Sequence, residues 1–339
     1  TMRKRLRITV LMDSACVPDE DPEFTTGLAE ESTEHHVVNS LRNRGYQVSV
    51  QELGSDPAGF ISRLVENKPD LVFNLTEEFR GNRLMDRNIT AILEMMGIPF
   101  TGAGSAGLML CRAKGLCKQL LNLHKIRVPD FLILPPCKKI RCPKNASFPM
   151  VVKPVYGDGS DGISNASLVK DRSSLEERAK MIHARWKQPA IAEEFIEGRE
   201  LYVGVLGNRR LTVLPPRELF FNGTEKSDGP VLATYRVKWD TAYQKKWNIR
   251  FGFAELEDKV FRKISRVCRK IYRTLQIQDY GRLDIRLTPD EQIVVMEANA
   301  NPDVAFGEEL AESAEKAGIS YDDFIDRVVR SALRRHKSP

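Results

Sequence analysis

The sequence predicts a mixed α/β protein of two or three packed lobes, the first of them built on a parallel sheet. Three observations carry this expectation. The chain has 339 residues, more than one hydrophobic core usually serves. Its first third alternates strand-like and helix-like stretches, the pattern of parallel strands joined by crossover helices. Its last third holds two apolar stretches around a short polar turn, "YGRLDIRLTPDEQIVVMEAN", the pattern of an antiparallel hairpin.

The elements follow in order. "LRITVLMD" is the first strand, and "TEHHVVNSLRNRG" an amphipathic helix with Thr33 as its expected N-cap and Gly45 at its end. "YQVSVQEL" is a strand, "GFISRLVENK" a helix and "PDLVFNLTE" a strand. The helix "DRNITAILEMMG" and the short "IPFTG" lead to "TGAGSAGLMLCRAKGLCKQLLNLHK", a glycine-rich entry to one helix. Strands are expected at "VPDFLILP", "PMVVKP", "AIAEEFIEG", "ELYVGVLG" and "RRLTVLPP", with the helix "SSLEERAKMIHARW" among them. A polar loop is expected from about Asn222 to Asn248, then the long helix "LEDKVFRKISRVCRKIYRTLQ", the hairpin, and a last helix near Tyr321 to Arg335.

Composition narrows the function. Hydrophobic content of 42% and charged content of 29% describe an ordinary globular protein. No run approaches the roughly 18 apolar residues of a membrane span. The basic-then-apolar start is short and broken by Asp13, so it is read as a strand and not an export signal, and the expected location is the cytoplasm. Net charge is +6, much of it in "RKRLR" and "RRHK", with no basic stripe interleaved by aromatics. That pattern favours small anionic ligands over nucleic acid, and neither nucleic acid nor membrane is an expected partner. Cys137 and Cys142 have no second pair or histidine cluster to complete a metal site, so the six cysteines are expected as reduced thiols.

The hairpin raises a chemical question. Its turn, "TPDEQ", centres near Asp290 and Glu291, and pairing outward from there sets Asp284 opposite Glu297. Facing like charges repel, and turned inward they cost more. Asn299 lies two residues beyond Glu297 and shares its face. Asp284, Glu297 and Asn299 thus offer hard oxygen donors that suit Mg²⁺, or Mn²⁺ in its place, with phosphate completing the shell. Spacing alone leaves open a second solution, in which the acids pair with Arg282 and Arg286.

Two further stretches point to a nucleotide. "GDGSDG" contributes Gly157, Gly159, Ser160 and Gly162, small residues whose backbone N–H groups can close over phosphate, with Lys153 upstream as a point charge. No Lys-Ser/Thr follows the last glycine, so this is not a Walker A loop, and a plain flexible loop is the alternative. In "EEFIEGRE", apolar Phe195 and Ile196 stand between Glu193, Glu194 and Glu200, an arrangement open to a stacked base and ribose hydroxyls or to a surface strand end.

In this order, Lys153 with its glycine loop, "EEFIEGRE", "GRLDIRL" and "MEANANP" resemble the ATP-grasp superfamily, and within it the D-alanine–D-alanine ligase-like carboxylate–amine ligases. The resemblance runs from about Asp70 to Arg330. It implies three lobes: an N-terminal α/β substrate lobe (1–105), a central lobe with the glycine loop (106–200) and a C-terminal lobe with the metal and substrate site (201–339), ATP lying between two sheets. By the same resemblance Lys114 and Lys153 reach the nucleotide phosphates, Glu193, Glu194, Phe195 and Ile196 line the adenine, and Glu200 holds the ribose. Lys238, in "YRVKWD", would close over phosphate on a mobile loop, and Arg282 would offset the charge of a tetrahedral intermediate. Asp284, Glu297 and Asn299 would hold the metal. The implied reaction is attack of a carboxylate on ATP, then of an amine on the acylphosphate, releasing ADP and phosphate; a homodimer is the implied assembly.

The chain also departs from that family. D-alanine ligases carry an acidic-serine motif after the first strand; here the region is a longer acidic insert. A substrate-orienting serine of their glycine loop is replaced by Gly159. Their Pro-Gly-Met-Thr and serine-rich turn is replaced by "NPDVAFGEEL", where Asp303, Glu308 and Glu309 suit a cationic group or an amine better than a carboxylate, or simply face solvent. The expectation is therefore an ADP-forming ligase whose substrates are not both D-alanine. A true D-alanine–D-alanine ligase and a non-catalytic ATP-binding module are the alternatives.

Overall fold

The structure, a computed structural model, describes residues 5–13, 32–136, 140, 142–143, 146–157, 163–221, 232–234, 237 and 240–337. Gly159, Ser160, Gly162 and Lys238 lie outside the described residues, as does most of the acidic insert.

Strand β1 (Arg7–Met12) sits between β2 (Gln47–Glu52) and β3 (Leu71–Asn74) in a parallel three-stranded sheet. β1 and β3 are buried almost throughout because helices cover the sheet, as parallel sheets require. The helices are α1 (Thr33–Asn43), α2 (Pro57–Asn67) and α3 (Asp86–Met95). In α2, Asp56 caps the N–H groups of Ala58 and Gly59, and Pro57 takes the first turn, where no N–H is needed. Ser32, not Thr33, caps α1, accepting from the His35 N–H at 3.2 Å; the Thr33 hydroxyl instead donates to Asp303 at 2.8 Å.

The single helix expected after the glycine-rich entry is two, α4 (Ser105–Arg112) and α5 (Lys114–Leu123), broken at Ala113 with ψ 82°. α5 crosses close to the central sheet at Gly115, where a Cβ would come within 2.8 Å of Ile133. That antiparallel sheet runs β4–β7–β5–β6, from β4 (Phe131–Leu134), β5 (Met150–Pro154), β6 (Leu168–Val169) and β7 (Ala190–Glu194). α6 (Arg172–Trp186) packs on it through Leu175, Ala179 and Ile182 and starts with an Asp171–Ser174 capping box.

The last sheet runs β11–β10–β8–β12–β13, with β9 paired to β8. Its strands are β8 (Arg199–Gly207), β9 (Leu211–Val213), β10 (Arg217–Phe221), β11 (Ile249–Phe253), β12 (Tyr280–Leu287) and β13 (Ile293–Asn299). The expected polar loop is not all loop: it holds α7 (Thr241–Lys246), capped by Asp240, and ends at β11. α8 (Asp258–Thr274) buries Val260, Ile264, Cys268 and Ile271, a helical spacing, on the sheet's core face. Two further helices follow the hairpin, α9 (Glu309–Lys316) and α10 (Tyr321–Lys337), and the turn expected between hairpin and α9 is present at residues 301–308. α10 sends Phe324, Ile325, Val328 and Val329 into one core with Ile8, Val10, Val37 and Leu41. Asp279 reinforces this contact between the chain's two ends: its buried carboxylate accepts from Arg335 (2.9 Å), Asn208 (2.8 Å) and the Gly102 N–H (3.0 Å).

Candidate active site

The hairpin places Asp284 opposite Glu297, as expected but by a different route, and Arg282 opposite Asn299. The loop is the three residues 289–291, with Glu291 in the left-handed region at φ 57°, so the turn centres on Asp290. Beyond it Ile285 pairs with Val295, and the register then shifts at a β-bulge. Met296 is the extra residue. Without it Asp284 would face Met296, and Glu297 would turn to the other side of the sheet. One inserted residue therefore decides that two carboxylates meet.

Their charges are met by cations. Arg282 grips Asp284 with two hydrogen bonds, 2.8 and 3.1 Å, and reaches Glu309 at 2.6 Å. Burial pulls the Arg282 pKa down, but Asp284 and Glu309 outweigh it and hold it well above the usual value. Arg286 turns to Glu200, at 2.5 Å, and the arginine pairing left open by the sequence is met at Arg282. Glu297 pairs with Lys114 at 2.8 Å. The Asn299 side-chain nitrogen is buried with no hydrogen-bond partner among the described residues. Among those residues no group of three or more His, Cys, Asp or Glu is gathered as a metal cluster. Two carboxylates and one amide still fit a hard cation that takes its remaining ligands from phosphate and water, the habit of Mg²⁺.

Lysines join this hairpin to the central sheet. Lys114 bonds both Glu297 and the Gly157 carbonyl at the start of the glycine loop. One turn later Lys118, which the sequence reading passed over, donates to the Met296 carbonyl at 2.5 Å and pairs with Glu193 at 3.3 Å. Lys153 approaches the other oxygen of Glu193 at 3.0 Å. Glu193 is 1% exposed; burial raises its pKa, but the two ammoniums overcome this and hold it below the usual carboxylate range. Burial lowers the pKa of both lysines; for Lys118 that effect prevails, whereas the Glu193 and Glu297 charges leave Lys153 above its ordinary value. The i, i+4 spacing of Lys114 and Lys118 was the signal available in the sequence.

The remaining residues divide into two groups. A cleft of about 510 Å³ is lined by Lys114, Gly157, Arg282, Glu297 and Asn299 together with Asp303, Glu308 and Glu309. Its wall also includes Glu77, Arg112, Arg217 and Phe251, none of which stood out in the sequence. Glu308 is raised above its usual pKa by burial and by neighbouring Asp303 and Glu309, and Arg282 opposes the shift. Lys153, Glu193, Glu194, Phe195, Ile196 and Glu200 lie outside this lining. The Glu193 carboxylate is enclosed by lysines, Glu194 accepts from the Asp130 N–H at 3.3 Å, and Ile196 is buried beyond the end of β7. Glu200 is held by Arg286 and by the Tyr202 hydroxyl at 2.8 Å.

Comparison with known proteins identifies the family. The family described as D-ala D-ala ligase C-terminus matches residues 131–330. Protein y4sG of Sinorhizobium fredii is 32% identical over 305 residues, covering 88% of this chain and 87% of that protein. A D-alanine–D-alanine ligase of Bacillus anthracis is 27% identical over 278 residues, covering 81% of this chain and 84% of the ligase. Among solved structures, the Bacillus anthracis ligase complexed with ATP superposes with a TM-score of 0.74 at 21% identity, over 98% of this chain and 99% of that one. The VanG D-Ala:D-Ser ligase of Enterococcus faecalis gives 0.68 at 17% identity, over 97% and 100%. The chain belongs to the D-alanine–D-alanine ligase family and has its ATP-grasp fold. Enzymes of this family are ATP-dependent, ADP-forming carbon–nitrogen ligases.

Proposed function

We propose that the protein joins a carboxylate to an amine through an acylphosphate, with ATP consumed to ADP and phosphate, and that its substrates are not both D-alanine. The observation that carries the reading is the bulged hairpin, which gathers Arg282, Asp284, Glu297 and Asn299 beside Lys114. Mg²⁺ held by the two carboxylates and the amide would offset charge on the phosphoryl oxygens. Lys114 and Lys153 add positive charge on the nucleotide side, and the glycine loop that starts at Gly157 supplies backbone donors. Arg282, fixed by Asp284 and Glu309, faces the cleft where the oxyanion of the acyl transfer would develop. Lys238 belongs to the same proposal as the residue that closes the site against water.

The substrate half rests on the turn after the hairpin. Asp303 and Glu308 line the cleft with Glu309, where a serine-rich turn would be needed to bind a second amino acid's carboxylate. A cationic or amine-bearing acceptor suits that wall. The D-alanine–D-alanine ligase reading is kept by the names of the relatives, and one experiment separates the two. Purified protein is incubated with Mg-ATP and a pooled library of amino acids and amines, phosphate release is followed, and products are weighed by mass spectrometry. A condensation product containing a basic or amine-rich partner is expected. D-alanyl-D-alanine formed from D-alanine alone at an ordinary enzymatic rate would overturn the substrate reading. A phosphorylated product without condensation would overturn the ligase reading.

A further inference from the structure

We propose that Lys118 is a positioning residue of this site: its ammonium fixes the β-bulge at Met296 and so keeps Glu297 facing Asp284. Lys118 touches two acceptors from different sheets, the Met296 carbonyl at 2.5 Å and Glu193 at 3.3 Å, and its side chain is 3% exposed. Apolar side chains at Lys118, Lys153 and Glu193 together would avoid the cost of desolvating their charges, so stability alone gives no reason for the cluster. The geometry does. A carbonyl at a bulge is released from the regular ladder, and a slip of one residue would carry Glu297 to the opposite face. Glu193 anchors the same ammonium from the central sheet, so the bulge is held to a fixed point outside its own hairpin. Lys114, one turn earlier, contacts Glu297 and the Gly157 carbonyl, groups that a cation and a phosphate would compete for. The acceptors of Lys118, the Met296 carbonyl and the enclosed Glu193 carboxylate, belong to residues outside the cleft lining. Lys114 is thus the exchangeable clamp and Lys118 the permanent one.

The inference rests on the proposed cation site, and its test needs no turnover. Binding of ADP is measured by calorimetry across a magnesium titration, for the wild type, Lys118→Met, Lys118→Arg and Leu41→Ala, a core truncation in the N-terminal lobe. Hydrogen exchange is read on the peptide spanning Ile293–Asn299. Lys118→Met is expected to weaken the magnesium-dependent part of ADP binding by about 10–100-fold, the usual loss when a ligand's supporting partner is removed. It is also expected to speed exchange in that peptide, while Leu41→Ala changes neither. Lys118→Arg keeps the charge but moves the donor, and is expected to fold and lie between; it carries the test should the methionine variant not fold. Magnesium dependence and exchange unchanged in the folded variants overturn the role of Lys118 and leave the cation site standing. A wild type whose ADP binding ignores magnesium overturns the cation site, and this inference with it.

Discussion

Replacing Glu193 by glutamine is the sharpest perturbation the fold offers, because it keeps the shape and removes one charge. The carboxylate lies 3.0 Å from Lys153 and 3.3 Å from Lys118 and is 1% exposed. At an effective dielectric of about 20, each contact is on the order of 5 kcal/mol of attraction. Desolvation offsets most of that, and removing one partner of a buried ion pair typically costs about 3–5 kcal/mol, because uncompensated charge remains. Glu193→Gln leaves two ammoniums without it, so a loss in the upper half of that range is expected. The pH dependence gives a second handle. Without Glu193 the pKa values of both lysines fall, and Lys118 starts already lowered by burial. A lysine depressed in the folded state binds fewer protons there than in the unfolded chain, so stability rises with pH. The deficit of the variant is therefore expected to be larger at pH 6 than at pH 9. Urea unfolding followed by tryptophan fluorescence, to which Trp186 against the core under α6 contributes, measures both. A deficit below about 0.5 kcal/mol, ordinary for a neutral surface substitution, or one that does not shrink with pH, would refute the reasoning.

Three further outcomes are expected. Arg282→Lys loses the two-pronged grip on Asp284 and should lower kcat by about 10²–10³, the usual effect of losing an oxyanion donor, with KM for ATP little changed; equal losses in both would assign Arg282 to nucleotide binding. Glu308→Gln should raise KM for a cationic amine. Because burial and its acidic neighbours raise Glu308, KM in the wild type should rise as acid protonates it, at a higher pH than for an ordinary glutamate, and the glutamine variant should lose this dependence. Asp13, pushed up to about 6 from 3.8 chiefly by burial, holds its proton more tightly folded than unfolded. Its ionisation therefore costs stability as pH rises between those values. The shift corresponds to about 3 kcal/mol, discounted to about 1–2 for partial exposure, and Asp13→Asn should recover that much at pH 7 and nothing at pH 3.5 by thermal unfolding.

Much of this was legible in the residues. The alternation of apolar stretches found β1, α1, β2, α2 and β3 because each carries its own period. Counting from the turn found the facing of Asp284 and Glu297. That count succeeded through two offsetting departures, a turn half a residue earlier than read and a bulge at Met296, and no local pattern announces a bulge. The break at Ala113 was missed because the flanking residues are good helix formers; the close passage of Gly115 over Ile133 goes with it. β11 and α7 were missed because "TAYQKKWNIRFGF" has neither period over a useful length. The partners of Glu193 could not be read at all. Lys118, Lys153 and Glu193 are separated by dozens of residues, and only the packing of α5 across two sheets brings them together.

The contact of α10 with the first sheet bears on synthesis. One face of β1 and β3, with α1, is completed by Phe324, Ile325, Val328 and Val329, which are synthesised only after the central and last sheets. At about 5–20 residues per second, that face waits on the order of tens of seconds for its cover. This lobe is therefore begun before the central lobe and finished after it, and for that interval its strands are a surface that chaperones, or neighbouring nascent chains, can reach.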